Sequence, residues 1–174
     1  MKRYIIIIFL LPLTIFLSLP SYSQKKTDEP NSFKIFYMGT VEGGHIFPWS
    51  HFLKVTHGVV TLTTIHGVQV RPWLFTGAGF GGMMLYHKDG IGMDFPLYVN
   101  GRFTLPYRHF QPFFDFKFGI SFFPSSFNFF NPSIGYKYAW GKKGGVRLSI
   151  GANIFTSASL KKYNGVSAII GFDF

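Results

Sequence analysis

The sequence predicts an all-β chain folded as an eight-stranded antiparallel up-and-down transmembrane β-barrel. Three observations lead there. Aromatic residues make up 20% of the 174 residues, with 23 Phe, while Asp, Glu, Lys and Arg together make up 14%, well below the roughly 25% of soluble domains. Mean hydropathy is positive at +0.21, yet no internal run is long and apolar enough for a membrane helix. Apolar content without apolar runs is what alternating strands produce, because only every second residue reaches one face. The third observation is the final segment, Tyr163 to Phe174. Val166, Ala168, Ile170, Phe172 and Phe174 share one face, while Gly165, Ser167, Gly171 and Asp173 lie on the other. A water-soluble sheet gains little from such a bare apolar face, whereas a barrel closed in lipid requires one, together with a last strand that pairs with the first.

The chain opens with Met1-Lys2-Arg3 and an almost wholly apolar run from Tyr4 to Leu19, followed by Ser21-Tyr22-Ser23. A basic start, an apolar centre and small residues at a cleavage point describe a secretory signal peptide. Residues 1–23 are therefore expected to be removed, leaving a mature chain that starts near Gln24. An uncleaved anchor helix is the alternative. It is disfavoured by the short run and by Pro12 and Pro20 within it. Residues 24–32 are polar and read as a disordered lead, and residues 33–174 as the barrel. There is no cysteine, which excludes a disulfide framework. The chain is strongly basic, with a formal charge of +10. In an exported, aromatic-rich strand protein this points to anionic lipid head groups or lipopolysaccharide phosphates rather than to nucleic acid.

Eight strand-like stretches separated by Gly, Pro and charged breaks follow, at 33–46, 57–70, 73–86, 92–104, 111–122, 129–140, 145–156 and 163–174. The first half is the less regular. In the second stretch Val60, Leu62, Val68 and Val70 share their face with Thr64 and His66. The third is apolar on both faces, and its glycines 77, 79, 81 and 82 mark either a bend or room for side chains from other strands. The fourth sets Phe95, Leu97, Val99 and Phe103 against Asp94, Tyr98, Asn100 and Arg102. Alternation is cleanest from the fifth stretch on. Phe114, Phe116, Phe118, Ile120 and Phe122 oppose Asp115, Lys117, Gly119 and Ser121. Ile134, Tyr136, Tyr138 and Trp140 oppose Ser133, Gly135, Lys137 and Ala139. In the seventh, Val146, Leu148, Ile150, Ala152 and Ile154 oppose Arg147, Ser149, Gly151 and Asn153. A soluble sandwich or lipocalin-like barrel also alternates, but its outward face carries the charge. Here the polar face is small and sparse, as a narrow lumen demands.

With both termini on the periplasmic side, the connections at 47–56, 87–91, 123–128 and 157–162 face outward. Arg71-Pro72, 105–110 and 141–144 become periplasmic turns. Only the first outward connection is long, which leaves little material for a receptor surface. Trp73 and Trp140, with Tyr107 and Tyr163 also near strand ends, are placed as interface aromatics, because such rings favour the headgroup zone.

The segments Thr63-Thr-Ile-His-Gly-Val-Gln69, Pro72-Trp-Leu-Phe-Thr-Gly-Ala-Gly79, Pro112-Phe-Phe-Asp-Phe-Lys-Phe-Gly119, Asn131-Pro-Ser-Ile-Gly-Tyr136 and the closing Gly171-Phe-Asp-Phe174 resemble the small outer-membrane β-barrel proteins, often termed porin-family, of Bacteroidetes-type Gram-negative bacteria. The likeness spans the mature chain and rests on the order and spacing of the segments. It implies an outer-membrane address, outer-membrane lipid and lipopolysaccharide as surroundings, and barrel-assembly machinery as a partner. Ile170, Phe172 and Phe174 match the assembly signal of that group. The likeness implies no single activity and no cofactor, and it leaves oligomeric state open.

The polar residues expected inside form the main candidate site: Asp94, Arg102, Asp115, Lys117, Lys137, Arg147 and Asp173. Buried charges need partners, so these are expected to interlock as a salt-bridged plug; an ion-selective constriction is the sharper alternative. A lipid A-modifying enzyme is a third reading. It needs a hydroxyl nucleophile, a His base and an orienting carboxylate. No His-x-Ser pair occurs, Ser50 and His51 are adjacent and so diverge in a strand, and Glu42 is the nearest strand acid. His45, His51 and His57 are spaced for a loop and lack nearby acids, so no metal site is assigned to them. His66, His87 and His109 have no sequence partners and receive no role. Gly77-Ala-Gly-Phe-Gly-Gly82 shares only its glycines with a dinucleotide fingerprint, and no helical pattern follows it. The pairs Lys142-Lys143 and Lys161-Lys162 read as solvated turn ends.

Overall fold

The computed structural model describes residues 35–49, 58–87, 90–107, 109–122, 127–140, 144–156 and 164–174. The expected signal peptide, the polar lead, the centres of the outward connections, the two lysine pairs, His51, His57 and Tyr163 lie outside those residues.

The described residues are almost wholly strand: β1 (Phe36–Pro48), β2 (Gly58–Arg71), β3 (Leu74–His87), β4 (Gly90–Asp94), β5 (Pro96–Thr104), β6 (Phe110–Ser121), β7 (Phe127–Trp140), β8 (Gly144–Phe155) and β9 (Gly165–Asp173). β4 and β5 are two halves of one strand. Both pair with β3 in a single continuous register, Met83 opposite Asp94 and Phe80 opposite Leu97. The break falls at Phe95, next to Pro96, which has no amide to donate. The expected fourth stretch is thus present but interrupted, and it starts at Gly90, whose φ is +149°.

Every pairing is antiparallel, each strand beside its neighbour in sequence, and β1 pairs with β9 to close the ring. The result is a closed eight-stranded antiparallel barrel. Thr40 opposes Asp173 across the closing seam, and Gly39 and Phe174 exchange two backbone hydrogen bonds of 2.9 Å. The ladder between β7 and β8 lapses at Asn131 and Pro132. There Asn131 Nδ2 donates to the Ala152 carbonyl at 3.1 Å, keeping that acceptor satisfied where Pro132 supplies no amide.

The alternation sorts side chains into an apolar exterior and a mixed interior. Leu62, Phe80, Val99, Phe118, Ile134, Leu148 and Phe172 are all exposed on the outside of different strands. Inside, the turn-side and central part carries most of the charge. Nearer the other end, where β1 finishes and β2 begins, Ile46, Val59, Met83, Phe127, Phe129 and Phe155 are buried together. An eight-stranded barrel has an interior that side chains nearly fill, and here two kinds of side chain divide that space along its axis.

Gly79 of β3 and Gly67 of β2 make room for rings. A Cβ on Gly79 would meet the Tyr98 ring at 2.4 Å, and one on Gly67 of β2 would come within 2.8 Å of the Phe75 ring. Of the two readings of these glycines, room for lumen side chains describes Gly79. On the exterior, the Phe174 ring lies over Gly39 and the Phe116 ring over Gly101 in the same way.

Candidate functional site

Alternation on β5 to β9 points Arg102, Asp115, Lys117, Lys137, Arg147 and Asp173 inward, and all are buried. β1 adds Glu42, at 3% exposure. Glu42 is the hub. Its Oε2 accepts from Lys117 Nζ, and its Oε1 accepts from Arg147 Nη2 at 2.9 Å. Arg147 Nε donates to Asp173 Oδ1 at 2.9 Å, and Thr40 Oγ1 donates to the same oxygen at 2.8 Å. Lys137 Nζ lies 2.6 Å from Asp173 Oδ2, an ion pair without hydrogen-bond alignment. Asp115 Oδ1 accepts from Asn100 Nδ2 at 2.5 Å, and its Oδ2 lies 4.0 Å from Lys117 Nζ. The cluster thus draws on both β1 and β9, so the closing seam runs through it.

Arg102 is held differently. It is 1% exposed, and its Nε and Nη1 lie 3.7 Å from Asp115 and Asp173 oxygens, too far for hydrogen bonds. None of its guanidinium nitrogens has a hydrogen-bond partner among the described residues. Instead the guanidinium sits 4.9 Å from the centroid of the Phe75 ring and 5.8 Å from that of Phe113. Two rings and two nearby carboxylates replace directed bonds with diffuse electrostatic stabilisation.

Asp94 corrects the expected set. It is inward and buried, but it lies away from the cluster. Ser121 Oγ donates to it at 3.3 Å, and no cation pairs with it among the described residues. Glu42 takes the place assigned to it. The physical reason is position along the strand: Asp94 belongs to the far half of its strand, opposite Met83, whereas Arg102 and Asp115 face each other nearer the termini. Sequence alternation gives the face of a residue and not its height.

A small cavity of about 40 Å³ lies between the charged cluster and the buried apolar side chains at the other end. Glu42 and Lys117 border it on one side, Ile46, Met83 and Phe129 on the other, and Asn131, Asn153 and Ser167 contribute polar wall. Asn131 Nδ2 also donates to Ser167 Oγ at 3.1 Å.

In the solved structures, the N-terminal β-barrel domain of Pseudomonas aeruginosa OprF superposes on this chain with a TM-score of 0.50, covering 79% of this chain and 97% of that domain at 9% sequence identity. The closed eight-stranded antiparallel barrel matches the fold of that domain. No protein-family model matches the sequence. No curated protein matches it either. At 9% identity the OprF barrel domain speaks for architecture alone, so every residue role rests on this chain's own geometry.

Three features lie on the exterior. Trp73 and Trp140 are both half-exposed at the end that carries the termini, with Trp73 stacked on Phe103 at 6.1 Å and Trp140 beside Tyr138 at 6.3 Å. Ile170, Phe172 and Phe174 are outward and exposed on β9. His66, to which the sequence assigned no partner, does have partners in the fold. Tyr37 Oη lies 2.5 Å from its Nδ1, Thr64 Oγ1 lies 3.1 Å from its Nε2, and Phe80 stacks on its ring. Thr64 donates its own hydrogen to the Thr40 carbonyl at 3.1 Å. These residues come from β1, β2 and β3, and their proximity is invisible without the strand register.

Proposed function

We propose that this chain is an integral outer-membrane barrel of Gram-negative type, structural or porin-like and non-enzymatic, exported by a cleaved signal peptide and plugged by its own interior side chains. The observation that carries this reading is the inversion of the usual soluble pattern. Among the described residues eight charged side chains are buried inside the ring, seven of them in one cluster, while large apolar side chains stand exposed on its outside. Water cannot favour that exterior, whereas lipid can. Trp73 and Trp140 would mark the periplasmic headgroup zone, the basic excess would meet lipopolysaccharide phosphates, and Ile170, Phe172 and Phe174 would serve the assembly machinery.

Cell fractionation with a heat-modifiability gel tests this. The chain is expected in the outer-membrane fraction, migrating as a compact band that shifts on boiling. Recovery in the soluble fraction would sink the membrane reading. An unchanged lipid A mass profile on expression is expected as well; a shift would restore the enzyme reading. The cavity beside Glu42 and Lys117 supports small-solute or lipid-related transport as a second reading, which solute flux into liposomes would reveal.

A further inference from the structure

We infer that the barrier to permeation is not the charged plug but an apolar collar above it, formed by Ile46, Val59, Met83, Phe127, Phe129 and Phe155. The collar and the plug are separate along the axis. Ile46 lies further along β1 than Glu42, and the cavity separates the two, with Glu42 and Lys117 on one side and Ile46, Met83 and Phe129 on the other. The collar is tightly packed: Phe127 meets Phe155 edge-on at 5.5 Å, Phe129 meets Tyr98 edge-on at 5.8 Å, and Val59 is fully buried.

The two layers treat water oppositely. The plug offers hydrogen-bonding groups, and several are unfilled: Arg102 has three nitrogens without partners, and Asn131 Oδ1, on the cavity side, has none either. Water entering a polar space of this kind finds the partners it needs. At the height of the collar Asp94 and Ser121 are inward too, opposite Met83 and Phe127, but they are bonded to each other; the rest of the collar offers water no partner, and a narrow apolar constriction closes by dewetting even where side chains leave some space. Loosening the ion pairs therefore hydrates the lower lumen and stops at the collar. Making the collar polar joins the cavity to the far mouth.

The inference rests on the outer-membrane reading above, and the experiment separates their failures. Four refolded proteins are compared in planar bilayers: the unaltered chain, Phe129→Ala, Met83→Gln and the double variant Glu42→Gln/Lys117→Met. Met83→Gln keeps nearly the same shape and adds polarity, so it tests wetting rather than bulk. Resolved single-channel openings are expected for Phe129→Ala and Met83→Gln, and none for the unaltered chain or the charge variant. Openings in the charge variant with closed collar variants, or free conduction by the unaltered chain, overturn the inference. So do four folded proteins that all stay closed. A protein that neither shifts on boiling nor enters the bilayer counts against the membrane reading instead.

The absence of native cysteine gives a second readout that needs no open channel. Ser167→Cys places one thiol beside the cavity. A charged, water-soluble thiol reagent is expected to leave it unmodified behind the native collar and to label it when Met83→Gln is added. Equal labelling in both backgrounds overturns the inference.

Discussion

At the scale of single residues, the interior depends on a few charged groups that each serve several partners. Arg147 joins Glu42 to Asp173, so its removal takes a cation from two buried carboxylates at once, leaving Glu42 to Lys117 and Asp173 to Lys137. Breaking a buried pair by deleting one partner typically costs about 3–5 kcal/mol. Arg147→Ala is therefore expected to lower the urea midpoint of the refolded barrel by an amount in that range. Glu42→Gln/Arg147→Met is expected to cost less than the sum of its single changes, because it removes charge from both sides of the bond. A negligible loss in Arg147→Ala would show that Lys117 and Lys137, with any water the lumen admits, suffice for the two carboxylates. The sequence made six of the seven members of this cluster legible as inward residues. It did not mark Glu42, because the face that carries Glu42 and Thr40 also carries Met38 and Ile46. An interior divided into polar and apolar layers spoils the simple rule that one face is polar and the other apolar.

At the scale of elements, β3 is the least regular strand in sequence, and its Gly79 makes room for a ring of its neighbour β5. The flat stretch at Gly79 lets Tyr98 lie across it, and Tyr98 in turn supports Phe129. Gly79→Val puts branched carbons where the ring stands. Overpacking of this kind costs about 1–3 kcal/mol, and a matching fall in stability is expected in urea titration. Adding Tyr98→Ala should recover part of the loss; an additive penalty would mean that the backbone rather than the ring is the obstacle. The later strands could be read residue by residue because their faces differ strongly, as with Phe114, Phe116 and Phe118 against Asp115 and Lys117. β3 could not, since glycine carries no facial signal and its role is fixed by a ring on another strand. The break at Phe95 was equally hidden. Pro96 lies inside the fourth stretch without marking its fate, and only the shared register with β3 shows that the strand continues through it.

For the whole molecule, the decisive contact is the seam between β1 and β9, the one pairing that is not local in sequence. Phe174 seals its outer side by covering Gly39. Phe174→Ala should reduce the fraction of heat-modifiable barrel recovered from membranes. Leu148→Ala, which trims a similarly exposed apolar side chain on β8, should leave that fraction nearly unchanged. Equal losses in the two would reduce Phe174 to one greasy residue among many.

The hub position of Glu42 gives the closing seam a further meaning. Glu42 lies in the earliest strand, and it is tied to Lys117 and Arg147, 75 and 105 positions later. Asp173, which holds the remaining valence of Arg147 and sits beside Lys137, arrives with the final strand. Until that strand docks, the inside of the ring carries cations short of their counterions, and these hold on to solvent. An unfinished chain therefore stays wet and announces itself as incomplete. The interior is therefore expected to dry only once the two ends of the barrel have met.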